Sequence, residues 1–372
     1  MTARLACVVG ARPNFVKIGP VLRGLQEQWP GVQCSLIHTG QHYDREMSDL
    51  FFTELNLPPP DVLLKVGSGT HGQQTARILQ GFEAWLLEAD PRPTATIVVG
   101  DVNSTVACAL AAAKLNIPII HVEAGLRSFD RRMPEEINRV VTDTLSSLLL
   151  ASEPAGVENL RREGLASDRI RLVGNVMIDV LFANLDRARR LGYPEKLGLT
   201  PGEYCIVTLH RPSNVDAPSA LHRLSDTLQR LSSKIPIVFP VHPRTRARLH
   251  EAGLWNELDH APGITLSEPL GYLEFLCLSS QAKIVITDSG GLQEETTALN
   301  IPCLTMRDRT DRPITVHEGT STLVGHDIEL LERLFNDVLH DRYKQGQCPA
   351  LWDGQSGQRI AHEIGEFLKH VN

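Results

Sequence analysis

The chain has 372 residues, 42% hydrophobic and 22% charged, with a formal net charge of −7. That length exceeds one ordinary core and predicts two domains, and the acidic balance argues against a nucleic-acid binder, which would carry a basic patch or stripe. No apolar run reaches the ~18 residues of a membrane-crossing helix, and "MTARLACVVGARP" lacks the long apolar core of a signal peptide before a strand-like pattern begins.

Short apolar runs alternate with helix-like segments along the whole chain. In the first half the strands read as "LACVVG", "CSLIHTG", "TATIVVGD", "IPIIHVEAG", "SSLLLAS" and "RIRLVGN". In the second half they read as "YCIVTLH", "PIVFPVHP", "GITLSEP", "AKIVITDSGG", "PCLTM" and "STLVG". Runs without apolar/polar alternation suit parallel strands buried on both faces. Helices are expected over roughly 14–29, 103–115, 134–148 and 291–299. The alternation occurs twice, predicting two doubly wound Rossmann-like α/β domains, over 1–180 and 181–354. A final amphipathic helix over 355–372, with Ile360, Ile364, Phe367 and Val371 at helical spacing, is placed to pack back on the first domain. Seven cysteines, odd in number, widely spaced and without a C-x-x-C pair, read as buried free thiols in a reducing cytoplasm rather than a zinc site. No metal-ligand spacing stands out.

Ligands of open α/β sheets bind beyond the carboxyl ends of the strands, so the residues just after each strand matter most. "VVGARPNFVKIGP" is a strand, a glycine turn and a helix start, with Arg12 and Lys17 as cations suited to a phosphate. The plainer reading is a tight turn with two solvated cations. "VVGDVNST" places Asp101 at a third strand end, where a lone aspartate is more often an N-cap than a catalyst. "HVEAGLRSFDRRMPEEINR" crowds Glu123 and Glu135 among arginines, which is either a solvated loop or a site that handles protons on an anionic substrate. Acids clustered in this way are expected to raise one another's pKa.

In the second half, "VTLHRPSN" gives His210 and Arg211, and "FPVHPRT" gives His242 and Arg244. "ITDSGGLQEE" ends a strand in Asp288 and opens a helix with Ser289, Gly290 and Gly291, whose exposed N–H groups can cradle a diphosphate. Glu295, one turn on, can accept two hydrogen bonds from a ribose diol. The plainer alternative is a helix capped by Asp288 or Ser289. "TGQHYDREM", with Gln41 and His42, and the charge run "TMRDRTDRP", with Arg312, default to solvated loops. Taken together, acids, histidines and arginines around phosphate-binding turns favour acid/base work on a phosphate-bearing substrate.

In order and at compatible spacing, "GARPNFVKIGPVL", "TGQHYD", "GDVNST", "HVEAGLRSFDRRMPEEINR", "GNVMID", "HRPSNVD", "PVHPRT", "DSGGLQEE" and "MRDRTDRPITVHEGTSTLVG" resemble the non-hydrolysing UDP-N-acetylglucosamine 2-epimerases. The hydrolysing relatives usually open with a motif closer to G-T-R-A-D-F-G-K. The resemblance implies a glycosyltransferase-B-like fold, two Rossmann-like domains facing a central cleft, with UDP held mostly by the second. It implies inversion at C2 of the sugar through loss of UDP to a glycal and re-addition of UDP, with no cofactor. Carried over residue by residue, Asp101, Glu123, Glu135 and His210 are the catalytic candidates. Arg12, Lys17, Arg211, His242, Ser289, Gly290, Gly291, Glu295 and Arg312 are the substrate-binding ones. A UDP-sugar is the implied substrate, a second UDP-sugar the implied activator near Gln41, His42 and His242, and a homodimer the implied assembly, with neither nucleic acid nor membrane as partner.

Two motifs depart from the family pattern. Where the family reads H-R-x-E-N, "HRPSN" has Ser213; where it reads T-D-H-x-S-D, "TDTLSS" has Thr144 and Ser147. The first removes a charge near His210. The second removes a histidine and an acid from a helix beside the acids. These changes leave room for a modified UDP-sugar, a 3-acetamido or uronic acid derivative. A glycosyltransferase of the same fold would need an acceptor groove and no such group of acids; a non-catalytic sensor would not need the acids at all.

Overall fold

The computed structural model describes residues 3–40 and 58–371. The chain divides into two compact units, one of Met1–Val180 with Ala350–Asn372, the other Leu181–Pro349.

The first unit is built on seven parallel strands: β1 (Arg4–Val9), β2 (Gln33–His38), β3 (Val62–Leu63), β4 (Ala95–Val99), β5 (Ile119–Ala124), β6 (Leu148–Ala151) and β7 (Ile170–Leu172). Their order across the sheet is β3-β2-β1-β4-β5-β6-β7. The chain starts in the middle, winds to one edge, then returns past β1 to the other. The second unit repeats this with β8 (Cys205–Thr208), β9 (Ile237–Pro240), β10 (Ile264–Ser267), β11 (Ile284–Thr287), β12 (Cys303–Thr305) and β13 (Ser321–Leu323), ordered β10-β9-β8-β11-β12-β13. The direction of winding therefore reverses between β1 and β4, and again between β8 and β11. Neighbouring crossovers leave for opposite sides at such a point, which opens a crevice above the strand ends.

Strand composition follows from burial on both faces. Cys205 and Val207 pack into one apolar cluster of the second unit, Tyr204 and Ile206 into another. Ile284 and Ile286 fall in the first cluster and Val285 in the second. A strand covered on both sides has no polar face to alternate with, hence its continuous apolar run. The expected strands are present in the expected order. The two-residue β3 is additional, being too short to give a sequence period. Cys7, Cys108, Cys205, Cys277 and Cys303 are buried free thiols.

The final helix, Ser356–Val371, packs on the helix Arg12–Gln28. Its start is fixed by Asp179, whose carboxylate accepts from the backbone N–H groups of Ser356 (3.0 Å) and Gly357 (2.7 Å). Close approach requires glycine here: a Cβ on Gly357 would stand 2.6 Å from the Pro20 carbonyl oxygen. Gly357→Val should destabilise the fold by about 1–3 kcal/mol, read as a lower urea midpoint, whereas Gly72→Ala, in the helix His71–Glu88 with open space around the added carbon, should cost less.

Candidate active site

In the first unit the informative turns lie at the carboxyl ends of β1, β4 and β5. After β1, the Asn14 side chain accepts from the backbone N–H groups of Gly10 (3.3 Å) and Ala11 (3.0 Å) and donates to the Val99 carbonyl (2.8 Å), tying this turn to the end of β4. A Cβ on Gly10 would collide with Ser104, so glycine lets the helix Asn103–Lys114 approach. One turn into the helix Arg12–Gln28, buried Lys17 forms an ion pair with buried Glu123. Glu123 has φ +71 and coincides with a register shift between Val122 and Ala124 in the β5–β6 pairing. A non-glycine residue held there costs about 1–3 kcal/mol, a strain that recurs at functional sites. Gly100 lies against the pair, its would-be Cβ 3.4 Å from Lys17 Nζ and 3.5 Å from Glu123 Oε2.

The adjacent acid is Asp101. It does not cap the following helix, whose N-cap is Val102. Arg139 reaches Asp101 Oδ2 with Nε (2.9 Å) and Nη2 (2.6 Å), and Asn138 Nδ2 donates to the Asp101 carbonyl (2.8 Å). Both come from the helix Pro134–Leu145. Glu136, on the same helix, accepts from Ser128 N (2.8 Å), Ser128 Oγ (3.1 Å), Phe129 N (3.0 Å) and Arg139 Nη1 (3.0 Å). Its acceptor sites are spent holding the loop. Its neighbour Glu135 is half-buried and makes no hydrogen bond or ion pair among the described residues.

Beneath them lies a buried network the sequence did not reveal. His121 sits between the Asp143 carboxylate (Nδ1, 2.6 Å) and the Gly100 carbonyl (Nε2, 2.9 Å). Asp143 also accepts from Gly125 N (3.1 Å) and Arg127 (2.7 Å). Burial pushes the Asp143 carboxyl up, but His121 and Arg127 more than offset this and hold it below its ordinary value.

In the second unit, Asp288 follows β11 and is fully buried. It accepts from the backbone N–H groups of His210 (3.0 Å) and Arg211 (2.8 Å) and from Asn214 Nδ2 (2.9 Å), and His210 Nδ1 lies 2.9 Å away. Burial raises its pKa; these donors, led by His210, bring it below the usual carboxylate range. Ser289 is the cap of the helix Gly290–Ala298, accepting from Leu292 N. Around this helix start stand guanidinium groups. A Cβ on Gly290 would lie 3.3 Å from Arg312 and 3.7 Å from Arg307, while one on Gly291 would face open space. Burial and the neighbouring Arg211 push Arg307 down to about 10, although Asp311, 3.3 Å away, pulls the other way. Arg312 is held by Glu294 (2.6 Å) and by Asp311. Glu295 is buried, and desolvation with Glu294 beside it pushes it up to about 7. Such a raised acid adds stability below its unfolded pKa of about 4.3 and loses it as pH rises through about 7. The Tyr272 hydroxyl is buried without a hydrogen-bond partner among the described residues.

The structure thus places Asp101 and Glu123 at the ends of adjacent strands, with Glu135 on the helix that holds Asp101. It places His210, Arg211, Ser289, Gly290, Gly291, Glu295 and Arg312 around the β8–β11 crevice. Arg12 opens its helix. His242 caps the helix Pro243–Glu251, its Nδ1 accepting from Arg244 N (3.2 Å), and its ring lies 5.4 Å from that of His210. Gln41 and His42 lie outside the described residues. Ser213 and Thr144 are exposed. Ser147 lies beyond the helix Pro134–Leu145, which ends earlier than expected, so only Thr144 of the two departures is helical. Arg307, Asp288, His121 and Asp143 were not singled out as site residues from sequence. The first was hidden in a charge run, Asp288 at a strand end, His121 within β5 and Asp143 in the helix Pro134–Leu145.

A twofold doubly wound α/β fold, with paired carboxylates at one switch point and crowded cations at a helix start on the other, defines an acid/base enzyme for a phosphate-bearing substrate. Comparison with known proteins narrows this. A family model described as UDP-N-acetylglucosamine 2-epimerase matches residues 25–365. A UDP-N-acetylglucosamine 2-epimerase of Methanococcus maripaludis is 42% identical over 97% of this chain and 98% of its own. A UDP-2,3-diacetamido-2,3-dideoxy-D-glucuronate 2-epimerase of Pseudomonas aeruginosa is 40% identical over 98% of this chain and 100% of its own. The crystal structure of the Methanocaldococcus jannaschii UDP-GlcNAc 2-epimerase in complex with UDP-GlcNAc and UDP matches with a TM-score of 0.86 at 40% identity, covering 98% of this chain and 99% of that one. The chain belongs to the UDP-N-acetylglucosamine 2-epimerase family.

The neighbouring glutamates separate structure from chemistry. Glu136→Gln should lower folding stability by about 1–3 kcal/mol, since it weakens charge-assisted bonds to buried donors, whereas Glu135→Gln should leave the urea midpoint within about 0.5 kcal/mol of wild type.

Proposed function

We propose that this chain interconverts UDP-N-acetylglucosamine and UDP-N-acetylmannosamine by inverting C2 without net hydrolysis. The observation that carries this reading is the pairing of acids with cations at one switch point: Glu123 with Lys17, Asp101 with Arg139, and Glu135 left unengaged. The C2 proton is weakly acidic. A carboxylate must take it while the C1–O bond breaks, its electron pair leaving on the β-phosphate oxygen and C1=C2 forming. UDP then re-adds at C1, and a proton reaches C2 on the opposite face. Two or more carboxylates served by separate cations can hold the different protonation states that this exchange requires.

The departing diphosphate is assigned to the helix start at Ser289–Gly291 with Arg211, Arg307 and Arg312, where N–H groups and guanidinium groups stabilise developing charge. Glu295 is assigned to the ribose diol and His210 to the leaving oxygen. A cytoplasmic homodimer completes the reading; the buried thiols suit a reducing compartment.

A second reading has a specific ground. The Pseudomonas aeruginosa relative acts, by its name, on a diacetamido-glucuronate, and this chain carries the neutral, exposed Ser213 two residues after Arg211. A modified UDP-sugar is therefore the second substrate to assay.

Asp101→Asn, Glu123→Gln and Glu135→Gln should each lower kcat by on the order of 10²–10⁴-fold, followed by chromatographic separation of the two UDP-sugars. Turnover within about threefold of wild type in all three would overturn the assignment.

A further inference from the structure

His210 stands at the end of β8 with its imidazole partly exposed. Its Nδ1 lies 2.9 Å from Oδ1 of Asp288, and its Nε2 makes no hydrogen bond among the described residues. Asp288 is fully buried, and its carboxylate is held ionised by donors from His210 N, Arg211 N and Asn214 Nδ2. A buried carboxylate surrounded by donors accepts; it cannot itself donate to Nδ1. Its only complement there is Nδ1–H. The second histidine of the pair is constrained in the opposite sense. His242 Nδ1 accepts the N–H of Arg244 at the start of its helix, so that nitrogen carries no hydrogen. Partial desolvation and the adjacent His210 ring lower the pKa of His242. A neutral ring beside His210 spares it a like charge.

We propose that Asp288 is a positioning residue that fixes His210 as the Nδ1–H tautomer, leaving Nε2 as the one proton-carrying atom available to the leaving diphosphate. The proposal rests on the reading of His210 as the group that serves the leaving oxygen. As the C1–O bond breaks, its electron pair goes to the β-phosphate oxygen. A proton on Nε2 moves to that oxygen and the imidazole becomes neutral, still Nδ1–H. Re-addition of UDP returns the proton to Nε2. Asp288 keeps its charge throughout and stabilises the imidazolium that alternates with neutral imidazole. Asp288 also immediately precedes Ser289, the cap of the helix Gly290–Ala298. One buried carboxylate thus links the proton carrier to the turn assigned to the phosphates.

The test has a part that needs no variant. In the full chain labelled with ¹⁵N-histidine, two-bond ¹H–¹⁵N correlation should show neutral His210 with hydrogen on Nδ1 and none on Nε2, its signals assigned by their loss in His210→Asn. A wild-type His210 with hydrogen on Nε2 alone would overturn the proposal. Asp288→Asn should shift the population to Nε2–H and lower kcat by on the order of 10³–10⁴-fold with KM changed far less; Asp288→Glu should recover part of both. Asn214→Ala removes another bond to the same carboxylate and should leave the tautomer in place and kcat within about tenfold. Equal losses in Asp288→Asn and Asn214→Ala, with an unshifted tautomer, would mean that Asp288 only holds the loop. If the tautomer is as stated but His210→Asn turns over normally, the role given to His210 fails while the geometry of the pair stands.

Discussion

A carboxylate removed from water must find donors or a cation, and in this chain that requirement organises both units. Leaving a buried charge unpaired costs several kcal/mol. Four buried acids accordingly fix partners on distant elements: Glu123 fixes Lys17, Asp143 fixes His121 and Arg127, Asp288 fixes the turn at His210, and Glu294 fixes Arg312, while buried Glu295 is instead pushed up to about 7. These pairs join elements that the sheets alone would leave free to shift. Arg139, divided between Asp101 and Glu136, sets the helix Pro134–Leu145 against the end of β4. The same contacts that hold the loops determine which acids remain available. Glu136 is consumed by structure, and Glu135, one residue earlier, is not.

The sheets decide where this chemistry can stand. Winding outward from β1 and β8 in both directions leaves each unit with one place where adjacent strands send their connections apart. The acids of the first unit and the guanidinium groups of the second occur at those two places. Glu123 shows the local cost: an L-residue at φ +71 in a strand is kept only because the Lys17 pair and the β5–β6 bulge over-determine it. His121, two residues earlier, is tied to Gly100, so the ends of β4 and β5 are braced against each other from below.

Much of this was legible in sequence because it is local. Apolar runs without alternation give buried parallel strands, and glycines after them give the turns; only β3, two residues long, left no period. Asp101, Glu123 and Ser289–Gly291 stood out because each lies at or just beyond the carboxyl end of a strand. What was not legible depends on pairing across long separations. Lys17 meets Glu123 over 106 residues, and His210 meets Asp288 over 78. No spacing rule relates such positions. The local pattern suggested a phosphate ligand in Lys17 and a cap in Asp101, and the family resemblance added positioning of the acids and catalysis; the fold pairs Lys17 with Glu123 and Asp101 with Arg139. Asp288 was read as one of two alternative caps. In the structure Ser289 takes that role and frees Asp288 to gather the β8 turn.

Carboxylates of the first unit are proposed to exchange the proton at C2 of a UDP-sugar. Proton NMR of the wild-type protein with UDP-N-acetylglucosamine in deuterated water tests this exchange most directly. The expected result is growth of the manno epimer with deuterium at C2 and UDP still attached. Epimer that retains the original C2 proton in full, or release of free N-acetylmannosamine and UDP as the only products, would contradict it.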